Sequence, residues 1–213
     1  MKADTVKNSN LGYPRCNRVA RWAGMVWLRL FGWQMEGTLP EVPKFLVIFS
    51  PHTSNWDGIM LIPAGFAFGV KFNFLAKKEL FVGPIGAILR GMGGIPVDRR
   101  APKDLVGQIV DAIEKREQVV IGIAPEGTRS LTKYWKSGFY HIAYRVNIPL
   151  SFAFLDYKRK VVGFDEGIIL TGDSDMDMQK IRQFYSNVNA KYPDNVGPVA
   201  FRSKRRIRRA KQE

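Results

Sequence analysis

The chain has 213 residues, of which 46% are hydrophobic and 24% charged, which is typical of a globular domain and excludes the disordered and fibrous classes. A single cysteine excludes an internal disulfide, and one cysteine with two histidines cannot form a Cys/His zinc site. The net charge of +14 indicates an anionic partner, which could be nucleic acid, an acidic protein, an anionic membrane or a phosphorylated substrate.

The N-terminal segment combines arginines with tryptophans and aliphatic residues. Its basic residues are Arg15, Arg18, Arg21 and Arg29, and three of the five tryptophans of the chain lie among them or close by. The longest uncharged apolar run, residues 22–28, is too short to span a bilayer, and the charges do not follow a signal-peptide layout. A helix of this composition is typical of the membrane interface, although a helix packed on the core would share the pattern.

Short apolar runs alternate with amphipathic patterns through the body of the chain. Strands are predicted at residues 45–49, 72–76, 95–97, 119–123, 148–155, 161–164 and 168–170. Helices are predicted at about residues 55–68, 84–90, 105–116, 138–146 and 174–188. This order predicts an α/β fold with a mostly parallel central sheet flanked by helices, preceded by the N-terminal amphipathic helix.

The loop after the first of these strands carries the most informative polar segment, residues 50–57 (SPHTSNWD). The carboxylate of Asp57 could bond one ring nitrogen of His52 and fix its tautomer, while the other nitrogen accepts a proton. The stretch from Ser54 to Asp57 also matches a helix-capping box, in which Asp57 caps a helix and His52 has no role. The other histidine, His141, lies in a helical pattern and is expected on the surface or in packing.

A second polar segment follows residues 95–97, where Asp98 and Arg99 form a charged pair. An exposed salt bridge, worth about 0 to 1 kcal/mol, is the alternative to a functional role. Because the carboxyl ends of parallel strands meet at one edge of a sheet, we expect this segment to lie near residues 50–57.

A third segment, residues 126–129 (EGTR), follows the strand at 119–123. Gly127 would let the backbone pass close to a ligand, and Thr128 could donate to phosphate oxygens. Arg129 could bind a phosphate with two parallel hydrogen bonds, while Glu126 could orient Arg129 or a substrate hydroxyl. A polar turn with an internal Glu126–Arg129 pair would give the same pattern.

The last twelve residues form a basic tail with seven lysines and arginines and one acidic residue. A block of this density is usually solvated. Each of these cations near an anionic membrane contributes about 1 kcal/mol of attraction, and the same residues could bind nucleic-acid phosphates non-specifically.

Four segments together resemble, in order and approximate spacing, the conserved blocks of the glycerolipid acyltransferase family, which includes the 1-acylglycerol-3-phosphate acyltransferases. They are the His52-x4-Asp57 pattern, residues 94–99 (GIPVDR), residues 126–129 (EGTR) and residues 147–150 (NIPL). The intervening residues 76–80 (AKKEL) are similar to that family as well.

The resemblance implies transfer of a fatty acyl group from acyl-CoA or acyl carrier protein to the hydroxyl of a lysophospholipid. The acceptor it points to first is 1-acyl-glycerol-3-phosphate, a substrate of phospholipid biosynthesis. It implies that His52 is the general base and Asp57 its charge-relay partner. Arg99 and the segment Glu126, Gly127, Thr128 and Arg129 would bind the glycerol phosphate of the acceptor. No metal and no cofactor are implied, because the acyl donor is a substrate.

These patterns divide the chain into an N-terminal membrane-association segment (1–40), a catalytic domain (41–200) and the basic tail (201–213). We expect the protein at the cytoplasmic face of an anionic membrane, peripherally associated and without a specific nucleic-acid partner. The alternative is a basic protein that binds nucleic acid or anionic membrane without acyltransferase activity. The clustering of the tryptophans away from the basic tail disfavours a nucleic-acid stacking surface.

Overall fold

The computed structural model describes residues 12–98, 100 and 104–202. Within these residues the helices are α1 (Arg18–Leu30), α2 (Asn55–Ala67), α3 (Gly83–Gly91), α4 (Leu105–Glu114), α5 (Gly138–Val146) and α6 (Ser174–Tyr185). The strands are β1 (Gln34–Gly37), β2 (Lys44–Phe49), β3 (Phe74–Lys77), β4 (Gly94–Val97), β5 (Val119–Ile123), β6 (Leu150–Asp156) and β7 (Val161–Ile168).

The main sheet has the strand order β1-β7-β6-β2-β5. Its neighbouring strands run parallel except for the antiparallel β6–β7 pair. Strands β3 and β4 form a parallel pair, and Asn73, just before β3, bridges in parallel to Ile121 of β5. The second pair therefore continues beside β5, and the predicted mostly parallel α/β sheet is confirmed.

The two faces of the sheet carry two separate apolar cores. On β2, Leu46 and Ile48 point into a core shared with helices α4, α5 and α6, while Phe45 and Val47 point into a core shared with α1 and α2. Side chains alternate in this way along any strand. Because both faces are covered, β2 is apolar at every position after Lys44, as is typical of buried parallel strands.

Helix α1 lies against α2 and exposes its opposite side. The side chain of Asn17 caps α1 by accepting from the Ala20 N–H at 2.7 Å. Gly24 allows the close approach, because a Cβ there would collide with the backbone of Pro63 in α2. On the other side Trp22 is 63% exposed and Leu30 is 76% exposed. In the described part of the chain, no helix is long and apolar enough to cross a membrane.

Two elements differ from the sequence-based expectations. Strand β1 was not predicted, because all four of its residues are exposed and show no apolar alternation; its backbone pairing with β7 determines its structure. The first of the two strands predicted at 161–164 and 168–170 lies within β7, which continues to Ile168, whereas residues 169–170 follow the end of that strand. The polar residues 165–167 resemble a break in the strand pattern. In the structure they belong to β7, and the pairing with β6 is irregular beside them.

Candidate active site

The parallel strands β6, β2 and β5 are neighbours, so the loops that follow them meet at one edge of the sheet. The loop after β2 carries His52, the loop after β5 carries Glu126, and Tyr157 follows β6 directly. This edge is where open α/β sheets bind ligands.

His52 and Asp57 form a hydrogen-bonded pair at the centre of this edge. The Nδ1 atom of His52 lies 3.0 Å from Oδ2 of Asp57. The same oxygen accepts the backbone N–H groups of Thr53 and Ser54, each at 2.8 Å. The side chain of Asp57 is 1% exposed and that of His52 is 19% exposed. No hydrogen bond joins Nε2 of His52 to any described residue, so this nitrogen is free to exchange a proton with a ligand.

The capping box predicted from the sequence is also present. Ser54 is the N-cap of α2, its Oγ accepts from the Trp56 N–H at 3.1 Å, and its own N–H donates to Asp57. The two interpretations that the sequence left open are therefore compatible, since one carboxylate caps the helix and holds the imidazole.

Asp57 is an anion at neutral pH. Burial alone would raise its pKa, but hydrogen bonds from His52, Tyr157 and the Ser54 N–H outweigh burial and hold the pKa of Asp57 below its usual range. A buried carboxylate in this state fixes the N–H of a neutral imidazole on Nδ1 and stabilises the imidazolium that forms when Nε2 takes up a proton.

Glu126 connects the loop after β5 to the loop after β2. Its Oε1 accepts from the Ser50 hydroxyl at 2.5 Å and from the His52 N–H at 3.3 Å, while its Oε2 is buried without a hydrogen bond to a described residue. Burial raises the pKa of Glu126 despite these bonds. No ion pair joins Glu126 to Arg129 in the described part of the chain. Instead of the Glu126–Arg129 contact that the sequence allowed, Glu126 bonds to Ser50 and His52 in the loop after β2. The sequence did not predict the role of Ser50.

The rest of the segment after β5 is open to solvent and basic. Gly127 adopts a left-handed conformation with φ +67°, and a Cβ there would collide with Cε and Nζ of Lys136. Thr128, Arg129 and Lys136 are exposed. Lys136 was not among the residues predicted for this segment, although it lies just before the helical pattern at 138–146.

The loop after β4 is held to the end of β3. Asp98 forms an ion pair with Lys78 and accepts from the Arg100 N–H at 2.9 Å, and the bond from Lys78 lowers the pKa of Asp98. A second ion pair joins Arg100 to Glu79 at 3.3 Å. Arg99, expected to bind phosphate, lies outside the described residues.

An aromatic cavity lies on the β6 side of His52. Its volume is about 240 Å³, and it is lined by Phe31, Trp33, Trp56, Met60, Tyr157, Lys160 and Lys191. The Tyr157 hydroxyl donates to Oδ1 of Asp57 at 2.7 Å, which connects the cavity wall to the histidine pair. The ammonium of Lys191 lies 5.1 Å from the Trp56 ring and 5.5 Å from the Tyr157 ring. Tyr157 lies between the strands predicted at 148–155 and 161–164, and no local pattern of the sequence indicated a functional role for it.

Among the residues that the structure describes, no three histidine, cysteine, aspartate or glutamate side chains are placed to hold a metal ion. His141, the second histidine, is exposed on α5.

Comparison with known proteins identifies the family. The family model described as acyltransferase matches residues 35–151. Among curated proteins no sequence matches the chain. The crystal structure of the 1-acyl-sn-glycerophosphate (LPA) acyltransferase PlsC from Thermotoga maritima is similar, with 20% sequence identity and a TM-score of 0.48 over 77% of this chain and 73% of that chain. Since the family match spans more than half of the chain and contains the His52–Asp57 pair and the segment after β5, the chain belongs to the acyltransferase family.

Proposed function

We propose that this acyltransferase moves a fatty acyl group from acyl-CoA or acyl carrier protein to the free hydroxyl of a lysophospholipid. The leading acceptor is 1-acyl-glycerol-3-phosphate, and the reaction is a step of phospholipid biosynthesis. The observation that carries the proposal is the His52–Asp57 pair at the ligand-binding edge, with Nε2 of His52 free of partners among the described residues.

In the proposed reaction, Nε2 of His52 removes the proton from the acceptor hydroxyl as that oxygen attacks the thioester carbonyl carbon. Asp57 stabilises the imidazolium while the carbonyl oxygen carries negative charge. The carbon–sulfur bond then breaks, the sulfur takes the proton from His52, and the products are the new ester and a free thiol. A positioned base of this kind contributes about 10² to 10⁴ to the rate.

Direct attack by the acceptor agrees with the position of the only cysteine. The thiol of Cys16 contacts the Phe66 carbonyl near the end of α2, whereas His52 precedes the start of that helix. At about 1.5 Å per residue the helix separates them by roughly 15 Å. Cys16 is therefore too far from His52 to form an acyl-enzyme intermediate there.

The basic segment after β5 is the proposed binding site for the acceptor phosphate. Neither Arg129 nor Lys136 forms an ion pair with a described residue. Arg129 can bind two phosphate oxygens at once, and Lys136 adds a second cation beside the backbone at Gly127. Glu126 is proposed to hold this segment against the loop of His52, and Thr128 to donate to the phosphate. Arg99 is retained as a further phosphate ligand on the resemblance alone.

The aromatic cavity is the proposed place for the acyl chain beside the thioester. Its wall is largely aromatic, and burial of each methylene group there contributes about 0.8 kcal/mol. In this proposal the acceptor phosphate and the acyl chain bind to different loops of the sheet edge that carries His52.

We further propose that the protein acts at the cytoplasmic face of a membrane, on which α1 and α2 rest. Exposed apolar residues on these helices are Val19, Trp22, Leu30, Ile59 and Ile62. The four arginines of the N-terminal segment are exposed beside them and would contact anionic head groups. The basic tail beyond Arg202 lies outside the described residues, and its role follows from its charge.

The reaction is tested with purified protein, 1-acyl-glycerol-3-phosphate and an acyl thioester. We expect release of free thiol and formation of the diacyl product, measured by mass analysis over a panel of acceptors and both donor types. Free fatty acid without the diacyl product would identify a hydrolase. Salt-sensitive retention of RNA or DNA without thiol release would favour the nucleic-acid alternative.

The membrane assignment is tested by flotation with liposomes that contain anionic lipid. We expect deletion of residues 202–213 and the substitution Trp22→Ser each to reduce binding at low salt. Unchanged binding of the deletion variant would contradict the role of the tail, and unchanged binding of Trp22→Ser would contradict the role of α1.

A further inference from the structure

Both oxygens of the Asp57 carboxylate are bonded, and they differ in their partners. Oδ2 accepts from His52 and from two backbone N–H groups. Oδ1 accepts from the Tyr157 hydroxyl at 2.7 Å, and among the described residues no other donor reaches it. The orientation of the carboxylate relative to the imidazole therefore depends on a residue 100 positions away in sequence.

Tyr157 is held in place by bonds on its own side of the sheet. Its N–H donates to the Asn189 carbonyl at 2.9 Å. The preceding residue, Asp156, is fully buried and accepts the N–H groups of Lys158 and Arg159, each at 3.0 Å, which fixes the turn after β6. The Tyr157 ring packs edge-on against Trp33 at 5.1 Å. The backbone bonds of the turn and the contact with Trp33 thus fix the position of the Tyr157 hydroxyl beside Asp57.

We propose that Tyr157 is a positioning residue of this active site, whose hydroxyl fixes the Asp57 carboxylate so that Oδ2 stays in line with Nδ1 of His52. This inference rests on the proposed function, in which His52 is the base. Tyr157 acts through Asp57 and not on the reacting atoms. Without the hydroxyl, Oδ1 would be a buried charged oxygen with no donor among the described residues, and the carboxylate would lose one of the four hydrogen bonds that fix its orientation toward His52.

The hydroxyl also affects how readily His52 takes up a proton. Among the described residues, the titratable groups that face Asp57 are His52 and Tyr157, and those that face His52 are Asp57 and Glu126. Tyr157 is in turn faced by Tyr192 and Lys191. Loss of one donor leaves more negative charge on Asp57 to stabilise the imidazolium.

The test is the substitution Tyr157→Phe, which removes the hydroxyl and keeps the ring against Trp33 and the cavity. We expect kcat to fall about tenfold to a hundredfold, the range for losing a hydrogen bond to a charged group. We expect KM for both substrates to stay within about twofold, because the role is in the transition state. The acid limb of the kcat/KM profile should move to higher pH.

A matched control is Tyr140→Phe. The Tyr140 hydroxyl donates to the buried Asp177 carboxylate at 2.8 Å, between α5 and α6 and away from His52. The two variants remove the same kind of bond, but Tyr140→Phe should leave kcat, KM and the pH profile unchanged. If both variants lowered kcat equally with an unshifted pH profile, Tyr157 would be only a stabilising residue and the proposal would be overturned.

A second measurement does not depend on activity. Since the chain has two histidines, NMR titration with a His141→Ala background resolves the His52 imidazole. We expect Tyr157→Phe to raise the titration midpoint of His52 and Tyr140→Phe to leave it unchanged. An unchanged midpoint in Tyr157→Phe would overturn the positioning role, whereas a shifted midpoint in a protein without acyltransferase activity would overturn the proposed function alone.

Discussion

Among the described residues, two tyrosine–aspartate pairs with buried carboxylates are closely alike in geometry. Tyr157 donates to Asp57 at 2.7 Å and Tyr140 donates to Asp177 at 2.8 Å, and both carboxylates are essentially inaccessible. The two carboxylates differ in their other hydrogen-bond donors. Asp177 also accepts the hydroxyl and the N–H of Thr171, whereas Asp57 accepts backbone N–H groups and an imidazole.

In the proposed mechanism, this difference separates a structural carboxylate from one that supports the catalytic base. Hydroxyl and backbone donors satisfy a buried anion but are not bases near neutral pH. An imidazole can take up a proton on its second nitrogen, and the His52 ring lies at the edge where the parallel strands end. Burial and a tyrosine partner therefore do not indicate a functional carboxylate by themselves. The indication is a histidine that bonds the carboxylate and lies at this edge of the sheet.

The largest expected effect comes from removing that histidine. We expect His52→Ala to lower kcat/KM by about 10² to 10⁴ while thermal unfolding stays close to wild type, because the lost group is the proposed base. The control is His141→Ala, an exposed histidine on α5, which should retain full activity. Full activity in His52→Ala would refute the mechanism.

The second effect compares the two carboxylates directly. We expect Asp57→Asn to lower kcat by about 10² or more, since a neutral amide no longer stabilises the imidazolium. Asp177→Asn should reduce the free energy of unfolding by roughly 1 to 3 kcal/mol with kcat unchanged. Steady-state kinetics and thermal unfolding of both variants measure this. Equal losses of kcat would mean that the two pairs do not differ in the way proposed here.

A smaller effect is expected from a substitution of Lys136, which tests the proposed phosphate site. Lys136→Gln should raise KM for the phosphorylated acceptor about tenfold, the loss expected for a bond to a charged group, and leave KM for the thioester unchanged. Lys180→Gln, an exposed lysine on α6, is the control. Equal KM values for Lys136→Gln and wild type would show that Lys136 does not bind the acceptor phosphate.

The sequence predicted the fold well where burial is two-sided, and it predicted the contact between His52 and Asp57, which are close in the chain. Strands β2 and β5 are continuous apolar runs, and His52 and Asp57 are five positions apart, so local patterns identified both. Strand β1 was missed because it is exposed on every residue. Tyr157 was missed because its partner lies 100 residues away, and no local pattern reports a contact made across two strands.

The dual bonding of Asp57 predicts how different positions of the site will tolerate random substitution. A library selected for folded protein should accept several residues at position 52, because His52 is one of four donors to Asp57 and the other three remain when it is replaced. The same library should be depleted at position 57, where a change also loosens the first turn of α2. Selection for activity should deplete both positions, so the two screens together distinguish a residue that only reacts from one that also holds the fold.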